Sequence, residues 1–323
     1  MKKISVSLIT SYLSFFLTLF LILYFTFGRN FYSTVLDGTN LFIACIFPSM
    51  LPYLFFTAFL TSNKSTTKIA TIMSPLSKKV FKTNGYCFFC LFLSLISGYP
   101  MGAKTVSDLK LCGFFSSEES VRASVLCSTS SPSFLIGSIG GIAFNNVRFG
   151  LAIFLTHVIS CFINGFLFSF YKRKSPATNV NNKNFFPKKQ TLYDLSMSSV
   201  LSVFAVGGII ILFYLLTEML SSLHVVSFLA RVISPIAGDS STALVKGLLE
   251  TTGGFKSLSF LPVSSAVFSC ACFMIGFGGI SVIIQSIAFL KSAKIKTAPF
   301  ILSKITCGLI SIIISLPIYA IFF

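Results

Sequence analysis

The most constraining feature of this chain is a recurring one. Apolar runs long enough to cross a bilayer follow one another from end to end. About 20 apolar residues span the hydrocarbon layer as a helix. In lipid every backbone amide must be paired within the protein, so only helices or a closed barrel can cross. Barrel strands would read as short segments of alternating polarity, whereas these runs are continuous. Runs at 4–27, 38–60, 124–144, 149–170, 197–220, 263–290 and 299–323 therefore predict an all-α polytopic membrane protein. Charged residues make up only 10% of the chain, far below the share in a soluble domain. The first run follows Lys2 and Lys3 but is long for a signal peptide and lacks a small-residue cleavage pattern, so a retained helix is expected.

The basic residues orient the runs. Formal net charge is +17, from 25 Lys and Arg against 8 Asp and Glu. They gather in four places: Lys2 and Lys3; Lys64, Lys68, Lys78, Lys79 and Lys82; Lys172 to Lys189; and Lys291, Lys294 and Lys296. Basic connections face the cytoplasm. The sparse connections near Arg29, Arg148 and His224 then face the other side. No basic recognition helix or stacking motif accompanies the charge, so nucleic acid is not an expected partner.

This orientation forces two segments to turn back. Residues 84–115 must begin and end inside, yet their apolar run, 86–96, is too short to span. The string SGYPMGAK, Ser97 to Lys104, would be the tip. Residues 234–256 must begin and end outside, again with a broken stretch. The expected fold is two inverted-topology repeats with broken re-entrant helical hairpins. Residues 1–37 form an N-terminal helix and connection, 38–170 the first repeat, 171–196 a basic cytoplasmic linker, and 197–323 the second repeat. Weak internal similarity agrees: SPL at 74–76 with SPI at 234–236, Gly102–Lys104 with Gly254–Lys256, and SPSFLIGSIGGI at 131–142 with SCACFMIGFGGI at 269–280. Inverted repeats with broken helices are how secondary transporters build a site near the midplane.

The breaks supply candidate binding groups. Ser97, Gly98 and Gly102 offer a hydroxyl and bare backbone, and Pro100 interrupts the helix. Lys104 follows, with Asp108 one turn on as either its partner or a fellow marker of the membrane surface. Ser128, Thr129, Ser130 and Ser131 crowd hydroxyls beside Pro132, either to pair freed carbonyls or to line a polar route. In the second half Glu250, Thr251, Thr252, Gly253, Gly254 and Lys256 combine acceptor, hydroxyl, bare backbone and cation. Lys246 and Glu250 could also form an i,i+4 pair, and Asp239 with Ser240 could cap a helix. Asn145, Asn146 and Gln285 are weaker candidates. The nine cysteines, a CxxC at Cys87 and Cys90 among them, read as small apolar packing residues. The two histidines, His157 and His224, share no motif, and neither a metal site nor a cofactor is expected. Hydrolase, metalloprotease and P-loop motifs are missing, which argues against an enzyme.

These strings carry a resemblance. SGYPMGAK, the hydroxyl stretch Ser128–Pro132 with Gly137 after it, and GLLETTGG at Gly247–Gly254 resemble the YlbJ family of sporulation integral membrane proteins, within the wider nucleoside-recognition or Gate-domain group. The resemblance covers the chain from about Phe47 to its end. It implies a role in endospore and spore-cortex formation and transport of a small organic anion, with dipicolinate the substrate linked to the family's best-known member. Nucleosides are the alternative substrate, and a non-transporting membrane assembly protein is the alternative role. The implied setting is a multi-pass protein of the cell membrane or the outer forespore membrane. The expected partners are the anion, a coupling proton or sodium ion, the lipid bilayer and, in a homo-oligomer, further copies of the chain.

Overall fold

A computed structural model describes residues 28–61, 65–172 and 191–323. The expected first helix at 4–27 and most of the basic linker lie outside the described residues. Everything with regular structure among the described residues is helical. Helix α1 (Gly28–Leu41) runs through a π-helical turn (Phe42–Ile46) into α2 (Phe47–Thr61). There follow α3 (Ser65–Val80), α4 (Tyr86–Ser97), α5 (Met101–Leu111), α6 (Ser117–Leu126), a π-helical segment (Ser133–Ala143) and α7 (Val147–Phe168). The remainder is α8 (Leu192–Ser222), α9 (Val225–Ala237), a 3₁₀ turn (Gly238–Ser240), α10 (Ser241–Leu249), α11 (Thr251–Leu258), α12 (Ser265–Phe277), α13 (Gly279–Ser292) and α14 (Ala298–Phe322).

Among the described residues, four helical stretches are long and apolar enough to cross a membrane: α7, α8, the α12–α13 pair and α14. The 22 residues of α7 extend about 33 Å, enough for the hydrocarbon layer. Their outward faces carry large apolar side chains, among them Leu167, Leu201, Leu212 and Ile313. In water these would form a large exposed patch; in a bilayer they meet lipid.

The starts of the helices follow local chemistry. Ser116 opens α6 with a capping box: its hydroxyl accepts the Glu119 N–H at 3.2 Å, and the Glu119 carboxylate accepts the Ser116 N–H at 3.0 Å. Thr191 and Asp194 do the same for α8. Asn146 and Ser264 each accept an N–H at the heads of α7 and α12.

The same order of elements occurs twice. A long helix is followed by an amphipathic one with a proline inside (α3 with Pro75, α9 with Pro235), then a tight helical pair (α4–α5, α10–α11), a helix interrupted midway, and a final long helix. The interruptions were not expected. The runs 124–144 and 263–290 read as continuous spans, but the first unwinds between Leu126 and Ser133 and the second turns at Gly278 and Gly279, both at positive φ. One core cluster joins α4–α6 to Leu290, Ala293 and Phe300, and another joins Leu135–Ile153 to Ala243–Ile275. The two halves of the chain thus share their cores.

Candidate functional site

Four breaks converge on one cavity of about 150 Å³. Ser97, Gly98 and Tyr99 come from the α4–α5 turn, Ser130, Ser131 and Ser133 from the unwound stretch after α6, and Glu250, Thr251 and Thr252 from the α10–α11 turn. Ser281, Val282 and Gln285 come from the start of α13, and Met50, Val206 and Ile210 close the remaining side. The wall is therefore rich in hydroxyls, with one carboxylate, one amide, and the rings of Tyr99 and Phe134.

Each break meets its backbone needs differently. Helix α4 stops because Gly98 takes φ 77° and ψ −171°, beyond the reach of a residue with a side chain. The next bond, Tyr99–Pro100, is cis. Gly98 packs its backbone on Ser131; a Cβ there would sit 3.0 Å from the Ser131 nitrogen. Gly102, the second residue of α5, lies against the Cys127 carbonyl, which leaves no room for a Cβ. The same carbonyl accepts the Ser94 hydroxyl, and Ser94 also meets the Thr129 hydroxyl at 2.8 Å. The turn and the unwound stretch are thus stitched together.

The second turn closes on itself. The Glu250 carboxylate accepts the Thr252 N–H at 3.0 Å, the Thr252 hydroxyl at 2.9 Å and the Gly253 N–H at 2.8 Å, filling the amide end of α11. The Thr251 hydroxyl donates to the Gly278 carbonyl at 3.0 Å, linking this turn to the α12–α13 break.

Of the residues the sequence singled out, the cavity collects Ser97, Gly98, Ser130, Ser131, Glu250, Thr251 and Thr252. Gly102, Ser128 and Thr129 lie behind its wall. Lys104 is turned away and bonds Asp108 at 2.8 Å. Gly253 and Lys256 line a second cavity of about 290 Å³ with Asp37, Glu218 and Lys246. Gly254 packs on Gly247, with room for no Cβ. Lys246 pairs with Glu218 on α8 at 2.9 Å and not with Glu250. Asp239 and Ser240 form the 3₁₀ turn and make no side-chain cap. Gln285 lines the first cavity and donates to the Ser281 hydroxyl at 3.1 Å, while Asn146 caps α7.

The chain is 25% identical to the sporulation integral membrane protein YlbJ of Bacillus subtilis over 300 aligned residues, covering 84% of this chain and 73% of the relative. No family model and no solved structure matches it.

Two buried groups beside the cavity were not among the expected site residues: His157, set aside because it shares no motif, and Lys304, which was not singled out. His157 on α7 accepts the Ser130 N–H at Nε2 (2.9 Å), with the Tyr99 hydroxyl 3.3 Å away. The Tyr99 hydroxyl itself donates to the Ile275 carbonyl at 2.8 Å. Lys304 on α14 is 1% exposed, donates to the Ser128 hydroxyl at 3.0 Å, and holds its ammonium 4.3 Å from the centre of the Tyr99 ring. Its signal was present: Lys304 is the single charge of the 299–323 run, seven residues into α14, and an ionisable residue inside such a run is a functional candidate by default.

Proposed function

We propose that this chain is a secondary transporter of a small organic solute, and that the cavity where the four breaks meet is its substrate site. That convergence is the observation that carries the proposal. Broken helices at membrane depth are tolerated where they line a polar cavity, and transporters place such breaks at their substrate site. The repeated order of elements fits two repeats, 38–170 and 197–323, of opposite orientation, with α4–α5 and α10–α11 as re-entrant hairpins from opposite faces. The kinship with a sporulation protein favours a small organic anion, dipicolinate foremost, and a place in the cell membrane or the outer forespore membrane.

The lining supports nucleosides as a second reading. Among the described lining residues there are hydroxyls, the Gln285 amide and the Glu250 carboxylate, but no lysine or arginine. That set suits a neutral, planar, hydrogen-bonding solute. Uptake of labelled dipicolinate and labelled nucleosides into proteoliposomes separates the two. Saturable uptake of one, competed by its unlabelled form and reduced at least tenfold by Ser131→Leu in the cavity wall, identifies the substrate class. Uptake of neither leaves the non-transporting assembly role in its place.

A further inference from the structure

The buried ammonium of Lys304 is paired with no carboxylate within 4 Å among the described residues. Removing a charge from water costs several kcal/mol unless something opposite faces it. The side chains around it are neutral or polar: His157 and Cys161 from α7, Cys307 from its own helix, Tyr99 from the α4–α5 turn, and Ser128. His157 Nε2 accepts a backbone N–H and so carries no proton there. The nearest carboxylate of the cavity wall, Glu250, spends both oxygens on the head of its own helix.

What faces Lys304 is the ends of two helices. Ser128 lies two residues past the end of α6 at Leu126, and Gly278 directly follows the end of α12 at Phe277. The ammonium bonds the first and lies 3.3 Å from where a Cβ on Gly278 would be. A helix carries about half a negative charge at its carboxyl end, and here the carbonyls just past the two ends, Cys127 and Gly278, each accept only a neutral hydroxyl, from Ser94 and Thr251. Two such ends meeting in a low-dielectric interior favour a cation between them. Hydroxyls and unwound carbonyls at half-helix ends are also the surroundings in which transporters hold a coupling sodium ion.

We propose that Lys304 is a tethered cation occupying the place between the α6 and α12 ends that a mobile sodium ion would otherwise take, so that this protein assembles its substrate cavity without bound sodium. The consequence for coupling rests on the transport reading above; the occupancy of the site does not. Lys304 acts by positioning: through Ser128 and Tyr99 it fixes two elements of the cavity wall without touching solute.

The test is thermal unfolding of the purified full-length protein in detergent, in sodium chloride and in choline chloride at equal ionic strength. The wild-type midpoint is expected to be the same in both salts. Lys304→Ala should unfold earlier in choline and regain about 3 °C or more as sodium is added, with saturation, since a ligand that binds only the folded state raises its midpoint. Lys304→Arg should remain salt-independent. A wild-type midpoint that climbs saturably with sodium overturns the proposal, even if Lys304→Ala cannot be purified. So does a folded Lys304→Ala protein whose midpoint ignores sodium. Because no substrate enters this measurement, a failure to transport dipicolinate or nucleosides leaves its outcome standing.

Discussion

The two helical turns at the cavity solve one problem in opposite ways. Each breaks a helix inside a membrane protein and must satisfy the amides and carbonyls that the break frees. The Ser97–Pro100 turn relies on its neighbours. Gly98 fits its bare backbone against Ser131, Ser94 and Gly102 both address the Cys127 carbonyl, and Tyr99 reaches across to the Ile275 carbonyl. The Glu250 turn is largely self-contained: its carboxylate takes two N–H groups and a hydroxyl of the residues that follow it. The first turn is specified by shape and the second by charge-assisted hydrogen bonds. They should therefore fail under different substitutions.

The largest effect is expected where shape alone decides. Gly102→Ala places a methyl group inside the van der Waals radius of the Cys127 carbonyl and should cost more than about 4 kcal/mol, enough to abolish folded protein. Its counterpart Gly253→Ala, whose Cβ would meet nothing closer than 3.6 Å, should shift stability by less than about 0.5 kcal/mol. Chemical denaturation in detergent, with size-exclusion profiles for the first variant, compares the pair. Equal tolerance at both positions would erase the contrast.

Next comes the carboxylate. Glu250→Ala leaves the Thr252 and Gly253 amides without their acceptor and should cost about 2–3 kcal/mol. Glu250→Gln keeps one acceptor oxygen and should cost about half as much, so a denaturation series over the two variants reads the contribution of the second oxygen. Ser94→Ala removes a single stitch of the first turn, for about 1–2 kcal/mol in the same assay. Lys104→Ala should be as mild as Gly253→Ala. The Lys104 pair with Asp108, whose side chain is 47% exposed, should contribute at most about 0.5 kcal/mol. Solute uptake should stay near wild type, since Lys104 faces away from the cavity.

Much of this molecule is legible in its sequence. Apolar runs of membrane length announce α7, α8 and α14, and the glycine and proline of SGYPMGAK announce the first turn, because those residues have few other uses in an apolar helix. Glu250 and its threonines stand out for the same reason, as polar groups with no surface to reach. Other features are hidden by arithmetic. The interruptions in 124–144 and 263–290 are one unwound stretch of hydroxyl residues and a pair of glycines, and neither lowers the apolar character of its run enough to be noticed. The internal similarity between 131–142 and 269–280 even misleads, since the first string begins at its break and the second ends at its own. The lysines drew attention by their proximity to glycine motifs, yet proximity along a helix says little about direction: Lys104 and Lys256 point away. Lys304, far from any motif, reaches the breaks from a helix distant in sequence.

The cavity wall also makes the protein its own reporter. The chain contains no tryptophan, and Phe134 presents its ring to the cavity beside the Ser131 hydroxyl. Phe134→Trp would install the single indole of the molecule at that wall, where its emission responds to the polarity of whatever fills the space. Occupancy of the site could then be followed by fluorescence, solute by solute, in a protein whose natural background is tyrosine and phenylalanine.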